Sequence, residues 1–261
     1  VQETLVTERS TTWLNLHELL HVLDDGRLLW GSERSGFMHL YLLDRDGRDP
    51  RRLTGGDWMV EELLAVDEGR GQVYFSGSKD GALQRHVYRV PLAGGAIERL
   101  TRDPGMHAAR FDAKAERFVS LWSNATTPPQ TQLFDRDGVK LADLVANTLE
   151  DGHPYFPFRA IHGPVEFGTL QAADGRTKLH YSLIKPPGFD PRKKYPLLHN
   201  VHGGPHTAAG DTWHYRWNTQ VFAAQGYVVA AVNYHGSSSF GYAFLDSITH
   251  RWGALELQDI E

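Results

Sequence analysis

Residues 22–145 are rich in short apolar runs separated by polar turns, and stretches such as His86-Val87-Tyr88-Arg89-Val90 alternate with a period of two. That period places successive side chains on opposite faces of a strand. Three units superpose. The first runs Asp25-Gly26-Arg27-Leu28-Leu29-Trp30, Gly36-Phe37-Met38-His39-Leu40-Tyr41-Leu42-Leu43, Asp46-Gly47 and Arg52-Leu53-Thr54. The second runs Gly71-Gln72-Val73-Tyr74-Phe75, Arg85-His86-Val87-Tyr88-Arg89-Val90, Gly94-Gly95 and Arg99-Leu100-Thr101. A weaker third contains Glu116-Arg117-Phe118-Val119, Gln130-Thr131-Gln132-Leu133-Phe134 and Asp137-Gly138. Each reads strand, polar loop, alternating strand, glycine turn, strand. Asp-Gly and Gly-Gly supply the positive φ that a tight turn between paired strands needs.

Leu53-Thr54 and Leu100-Thr101 lie 47 positions apart, and four-stranded propeller blades repeat at about 40–50 residues. A plain meander or sandwich gives similar strands without a fixed repeat. The units therefore predict blades of a β-propeller, and since propellers usually have about 4–8 blades, further blades are expected upstream.

The pattern changes after Asp143. Residues 144–165 carry Pro154, Pro157 and Pro164 and read as a connector. Residues 165–171 and 178–185 flank Asp174-Gly175 and predict a hairpin. Residues 195–201 predict a strand running into His202-Gly203-Gly204-Pro205. Residues 213–225 predict a helix stopped by Gly226, a C′ glycine. Residues 227–234 are almost continuously apolar, as in a parallel strand buried on both faces. Residues 240–247 and 252–261 read as further helices. Strand, helix, strand, helix is the α/β alternation. The expected fold is thus mixed: residues 1–150 are the C-terminal blades of a propeller, and residues 160–261 are the N-terminal part of an α/β-hydrolase domain.

Composition narrows the function. The net charge of −5 offers no basic stripe for phosphates, so a nucleic-acid partner is not expected. Cysteine is absent, which excludes disulfides and thiolate chemistry and fits either cytoplasm or periplasm without choosing between them. No apolar run approaches the ~20 residues that span a bilayer. The opening Val1-Gln2-Glu3 shows no secretory n-region and reads as a cut inside a longer protein.

His202-Gly203-Gly204-Pro205 is the most informative segment. Glycines after a strand let main chain approach a reacting carbonyl and aim an N–H at its developing oxyanion, as in the HGG-type loop of α/β-hydrolases. Gly204 and His202 are accordingly the oxyanion-hole candidates; the bland alternative is a tight turn without chemistry. His199, His202 and His206 do not make a metal set, because the first two face opposite sides of a strand and no cysteine or carboxylate joins them. Neither a metal nor a cofactor is expected. No Gly-x-Ser-x-Gly occurs; Gly236-Ser237-Ser238-Ser239-Phe240-Gly241 comes nearest and places hydroxyls at the sheet's C-terminal edge, where open α/β sheets bind ligands. Glu33 with Arg34, and Glu61 with Glu62, read as solvated loop charges.

Together these segments resemble the prolyl oligopeptidase (S9) family of serine peptidases. Residues 193–205, Val232-Asn233-Tyr234-His235-Gly236-Ser237 and the stretch from Trp252-Gly253 to Gln258-Asp259 are similar to the start of its catalytic domain. Thr12-Trp13-Leu14-Asn15-Leu16-His17, Trp30-Gly31-Ser32-Glu33-Arg34-Ser35-Gly36-Phe37 with His39-Leu40-Tyr41, and Leu53-Thr54-Gly55-Gly56-Asp57-Trp58 look like the dipeptidyl peptidase IV branch. The resemblance implies a Ser-His-Asp hydrolase that cleaves short peptides beneath a propeller. It also implies that no member of the triad lies in this chain and that the acidic pair holding the substrate amino terminus lies upstream of Val1. It makes His235 and Ser237 substrate-pocket candidates and a homodimer one assembly to consider.

Two positions depart from the branch: His202 stands where it commonly has tyrosine, and His235 where the family usually has arginine. His-Gly-Gly-Pro is closer to the acylaminoacyl-peptidase form, in which the second glycine, here Gly204, donates. The leading expectation is a fragment of a serine exopeptidase of dipeptidyl or acylaminoacyl type, inactive alone. The alternatives are a non-enzymatic propeller binding module with a vestigial hydrolase domain, and an esterase.

Overall fold

The computed structural model describes residues 2–261. Three antiparallel meanders come first, each with its strands in chain order. The first holds β1 (Leu20–Val22), β2 (Leu28–Ser32), β3 (His39–Leu43) and β4 (Arg51–Arg52). The second holds β5 (Val60–Asp67), β6 (Gln72–Gly77), β7 (His86–Pro91) and β8 (Glu98–Arg99). The third holds β9 (Met106–Phe111), β10 (Arg117–Asn124), β11 (Thr127–Asp135) and β12 (Lys140–Val145).

The middle sheet buries both of its faces, and the period of two explains how. Val73 and Phe75 on β6, with Tyr88 and Val90 on β7, join Leu29, Leu40 and Leu42 of the first sheet in one core. Tyr74 and Val87, one position out of step, join Phe118 and Phe134 of the third sheet in a second core. Two cores thus share one set of strands.

The 47-residue recurrence has a physical basis. In the first sheet His39 Nδ1 lies 3.1 Å from Thr54 Oγ1, which also accepts the Leu40 N–H at 2.9 Å. In the second, His86 Nδ1 lies 3.1 Å from Thr101 Oγ1, which accepts the Val87 N–H at 3.1 Å. All four side chains are buried. Because Nε2 of each ring meets an oxygen, Gly56 O for His39 and Gln84 Oε1 for His86, the Nε2–H tautomer leaves Nδ1 to accept the threonine proton. Each inner strand is thereby locked to the segment after the outer one. The third sheet varies the device: His107, on the first strand, meets Ser120 Oγ at 3.0 Å. Gly138, at φ 79°, turns β11 into β12, and a Cβ there would lie 2.6 Å from the Leu100 carbonyl oxygen.

A short 3₁₀ helix (Phe156–Ile161) crosses the connector to the fourth sheet. This sheet contains β13 (Val165–Gln171), β14 (Lys178–Ile184), β15 (Leu197–His199) and β16 (Val228–Asn233), ordered β13-β14-β16-β15. Only β15 and β16 run parallel. Between them lies α1 (Thr219–Ala224); after β16 come α2 (Tyr242–Asp246) and α3 (Leu255–Ile260).

Several elements differ from the sequence reading. Strands β5 and β9 open their sheets, although the three units as read from the sequence did not include them. The helix expected over 213–225 is confined to α1. Asn218 caps it, its side chain accepting the Gln220 N–H at 3.0 Å. Before the cap, Trp213 is buried with its backbone N–H on Ser123 Oγ at 3.2 Å and its ring edge-on to Tyr155. Anchoring this aromatic to the third sheet and the connector outweighs helix propensity. The last helix starts at Leu255 rather than Trp252, because His250 and Gly253 adopt φ of 59° and 79°.

Candidate functional site

The site grows from the end of β15. Asn200 still donates to Ala230 O at 2.7 Å; beyond it the chain leaves the sheet as a loop. Asn233, the last residue of β16, grips the far end of that loop, accepting the Ala209 N–H at 2.7 Å and donating to Ala209 O at 3.1 Å. Ser238 N–H donates to Thr207 O at 3.0 Å. The loop is held at both flanks by the strand and turn beside it.

His202 stacks on Tyr234, ring centroids 4.3 Å apart and planes 16° from parallel. Its Nε2 lies 2.9 Å from Ser237 Oγ, and its Nδ1 lies 3.0 Å from Thr207 Oγ1. Ser237 Oγ donates to Tyr234 O at 2.7 Å, so the serine oxygen accepts from His202 Nε2–H. Burial pushes the His202 imidazole below its ordinary pKa, which favours the neutral ring. The Tyr234 hydroxyl donates to the His202 carbonyl and Thr207 to that of Gly203. The carbonyls of His202 and Gly203 are therefore occupied, whereas the exposed Gly203 and Gly204 offer main-chain N–H groups that have no acceptor among the described residues. Gly204 has φ 130°, and a Cβ there would sit 2.8 Å from Thr207 Cγ2. A side chain is excluded on both grounds.

The other sequence candidates are inside the protein. Ser237 is fully buried, its proton committed to a carbonyl. His235 is 4% exposed. Its backbone N–H and its Nδ1 both meet Asp259 Oδ2, at 2.8 and 2.7 Å. Its Nε2 lies 3.3 Å from Thr177 Oγ1 and 3.6 Å from Asp174 Oδ2. The Thr177 hydroxyl, then the backbone N–H groups of Thr177 and Arg176, hold the Asp174 carboxyl well below the usual carboxylate range. His235 thus ties the β13–β14 turn to α3, with protein groups at both ring nitrogens.

Two residues outside the motif support the loop. His206 Nδ1 donates to Gly236 O at 2.8 Å, and its ring stacks on Trp13 at 5.1 Å. The Trp13 carbonyl in turn accepts the Tyr242 hydroxyl at 2.6 Å. Chemically, fixed main-chain donors beside a fold-held loop are suited to an oxygen that gains negative charge. Sequence reading passed over Trp13, His206 and Asn233 as supports; an aromatic and an amide flanking a glycine loop were the only signals available.

The chain is similar to dipeptidyl peptidases of the prolyl oligopeptidase (S9) family. Residues 1–129 match the dipeptidyl peptidase IV N-terminal region, and residues 213–261 match the prolyl oligopeptidase family. Mouse dipeptidyl peptidase 8 is 28% identical over 97% of this chain and 32% of its own length. Dipeptidyl-peptidase 5 of Trichophyton schoenleinii is 46% identical over 38% of this chain and 14% of its own length. The crystal structure of Porphyromonas gingivalis dipeptidyl peptidase 4 superposes with a TM-score of 0.78 at 27% identity, covering 91% of this chain and 33% of that one. The chain therefore spans about a third of the length of the mouse and Porphyromonas gingivalis proteins. Among the described residues, no helix is long and apolar enough to cross a membrane.

Proposed function

We propose that the whole protein is a serine exopeptidase of dipeptidyl-peptidase type acting on short peptides. In this reading residues 1–150 are blades of a propeller and residues 160–261 open an α/β-hydrolase domain. The nucleophilic serine, its histidine and its aspartate come from sequence outside this chain. Gly204 N–H stabilises the tetrahedral oxyanion, while His202 shapes the loop from beneath. The observation that carries the reading is the pair of exposed glycine amides, without an acceptor among the described residues, on a loop whose His202, Gly203 and Thr207 carbonyls are bound.

The reading assigns His235 a supporting part below the substrate cleft, because its nitrogens already have partners. Ser237 likewise acts through His202. The test is hydrolysis of Gly-Pro and Ala-Pro p-nitroanilides. The whole protein is expected to release nitroaniline and the 261-residue chain to release none; cleavage by the chain alone, or no cleavage by the whole protein, sinks the proposal.

A further inference from the structure

The N-terminal arm, the first two sheets and the turn after β16 enclose a cavity of about 300 Å³. A second cavity of about 260 Å³ adjoins it, and Asn15, His17, Glu33, Met38 and Tyr242 line both. The larger one reaches His206 and Ser238, beside the glycine loop. Glu33 stands at the junction, half-buried.

Its carboxylate is unlike its neighbours. Glu8 is paired with Arg34 at 2.6 Å, and Glu61 with Arg85. Glu33 meets only Asn15 Nδ2, at 3.0 and 2.9 Å, and among the described residues no cationic nitrogen lies within 4.0 Å of it. The adjacent His17 does not supply a charge: its Nδ1 accepts the Leu19 N–H at 3.2 Å and burial lowers its pKa, favouring the neutral ring. Burial also raises the Glu33 carboxyl, the response of an anion withdrawn from water without a counter-charge. One neutral donor leaves most of the carboxylate's lone pairs unused.

We propose that this cavity is a specificity site for a basic side chain of the bound peptide, a lysine or arginine whose cationic head pairs with Glu33. The proposal rests on the peptidase reading, and it deepens it by naming a substrate class. The apolar stem of such a side chain would lie along Leu16 and Met38, which line the cavity, as long cationic side chains commonly lie on apolar surface.

The test uses the whole protein and X-Pro p-nitroanilides with X as lysine or arginine against leucine or methionine. In Glu33→Gln the ratio of kcat/KM for basic over neutral substrates is expected to fall roughly tenfold to a hundredfold, the loss of a charge-assisted contact. Asn15→Ala, which keeps the charge, retains the ratio, and raising the salt shrinks it. An unchanged ratio in Glu33→Gln, or an equal loss in Asn15→Ala, overturns the proposal. Calorimetry on the unsubstituted protein makes the outcome independent of folding of the variants and of turnover. Lysine amide is expected to bind at least roughly tenfold more tightly than its uncharged isostere norleucine amide, and equal binding overturns the site. If no anilide is cleaved but lysine amide still binds preferentially, the peptidase reading fails and the cation site stands.

Discussion

Trp13 and His206 stack with ring centroids 5.1 Å apart and planes 27° from parallel. They come from opposite ends of the sequence, and His206 lies two residues beyond Gly204. An aromatic stack is worth about 0.5–1.5 kcal/mol beyond the area it buries. If the arm props the loop, Trp13→Ala lowers kcat in the whole protein by several-fold to about tenfold, more than it raises KM. Trp13→Phe restores most of it. A change confined to KM would argue for simple substrate contact.

Gly204→Ala tests the loop itself. A methyl there meets Thr207 Cγ2 at 2.8 Å on a backbone of φ 130°, so the loop must shift and its N–H turn away. Loss of one oxyanion donor costs about 10²–10³ in rate. That loss is expected in kcat of the whole protein, with the melting temperature changed by only a few degrees. Retention of full kcat would remove the oxyanion role.

The histidine locks make stability depend on pH. Burial first, then the nearby His107 and Arg99 charges, push the His86 imidazole down from 6.5 to about 4. The unfolded chain therefore takes up the proton before the folded one. The lock's contribution is complete above pH 6.5, is lost as pH falls from 6.5 to 4, and is constant below that. The span corresponds to roughly 3 kcal/mol, and burial moves His39 and His107 in the same direction. Urea midpoints are expected to drop between pH 7 and pH 4, with a shallower drop in His86→Gln. Equal slopes for both proteins would contradict the assignment.

The clamp at His235 yields a local prediction. Asp259→Ala strips acceptors from both the backbone N–H and Nδ1 of His235. Leaving buried donors unpaired costs about 1–3 kcal/mol. Amide exchange at His235 should accelerate, with the three meanders unaffected. A destabilisation spread evenly over the protein would count against a local clamp.

Phe75 measures the shared core. It is fully buried and stacks between Tyr88 and Trp58, at 5.5 and 6.0 Å. Phe75→Ala is expected to cost about 3–5 kcal/mol, read from chemical denaturation; a cost below about 1 kcal/mol would mean the sheets do not bear on each other there.

Much of the first half was legible because its information is local. Alternation at residues 86–90, glycine turns and the Leu-Thr recurrence each report strand geometry within a few residues. The recurrence even marked the histidine locks, since His39 and His86 share its spacing. Strands β5 and β9 were harder to see. The stretch 60–67 runs Val-Glu-Glu-Leu-Leu-Ala-Val-Asp, without clean alternation, and bulges break its pairing with β6. At the site, the glycine loop was readable from its composition. The burial of His235 and Ser237 was not, because it depends on Asp259, Thr177 and His202 reaching them through the fold. The Trp213 anchor failed to show for the same reason: its partner Ser123 lies 90 positions away.

The Tyr242 hydroxyl reaches back 229 positions to the Trp13 carbonyl and also meets Ser10 and Thr12. Covalent order and mechanical allegiance consequently disagree. A protease nicking the proline-bearing linker at 150–160 would sever the peptide chain without liberating the two halves, because the leading segment remains fastened to the trailing one. The nicked molecule should migrate as a single species until denatured, hinged about its own first residues.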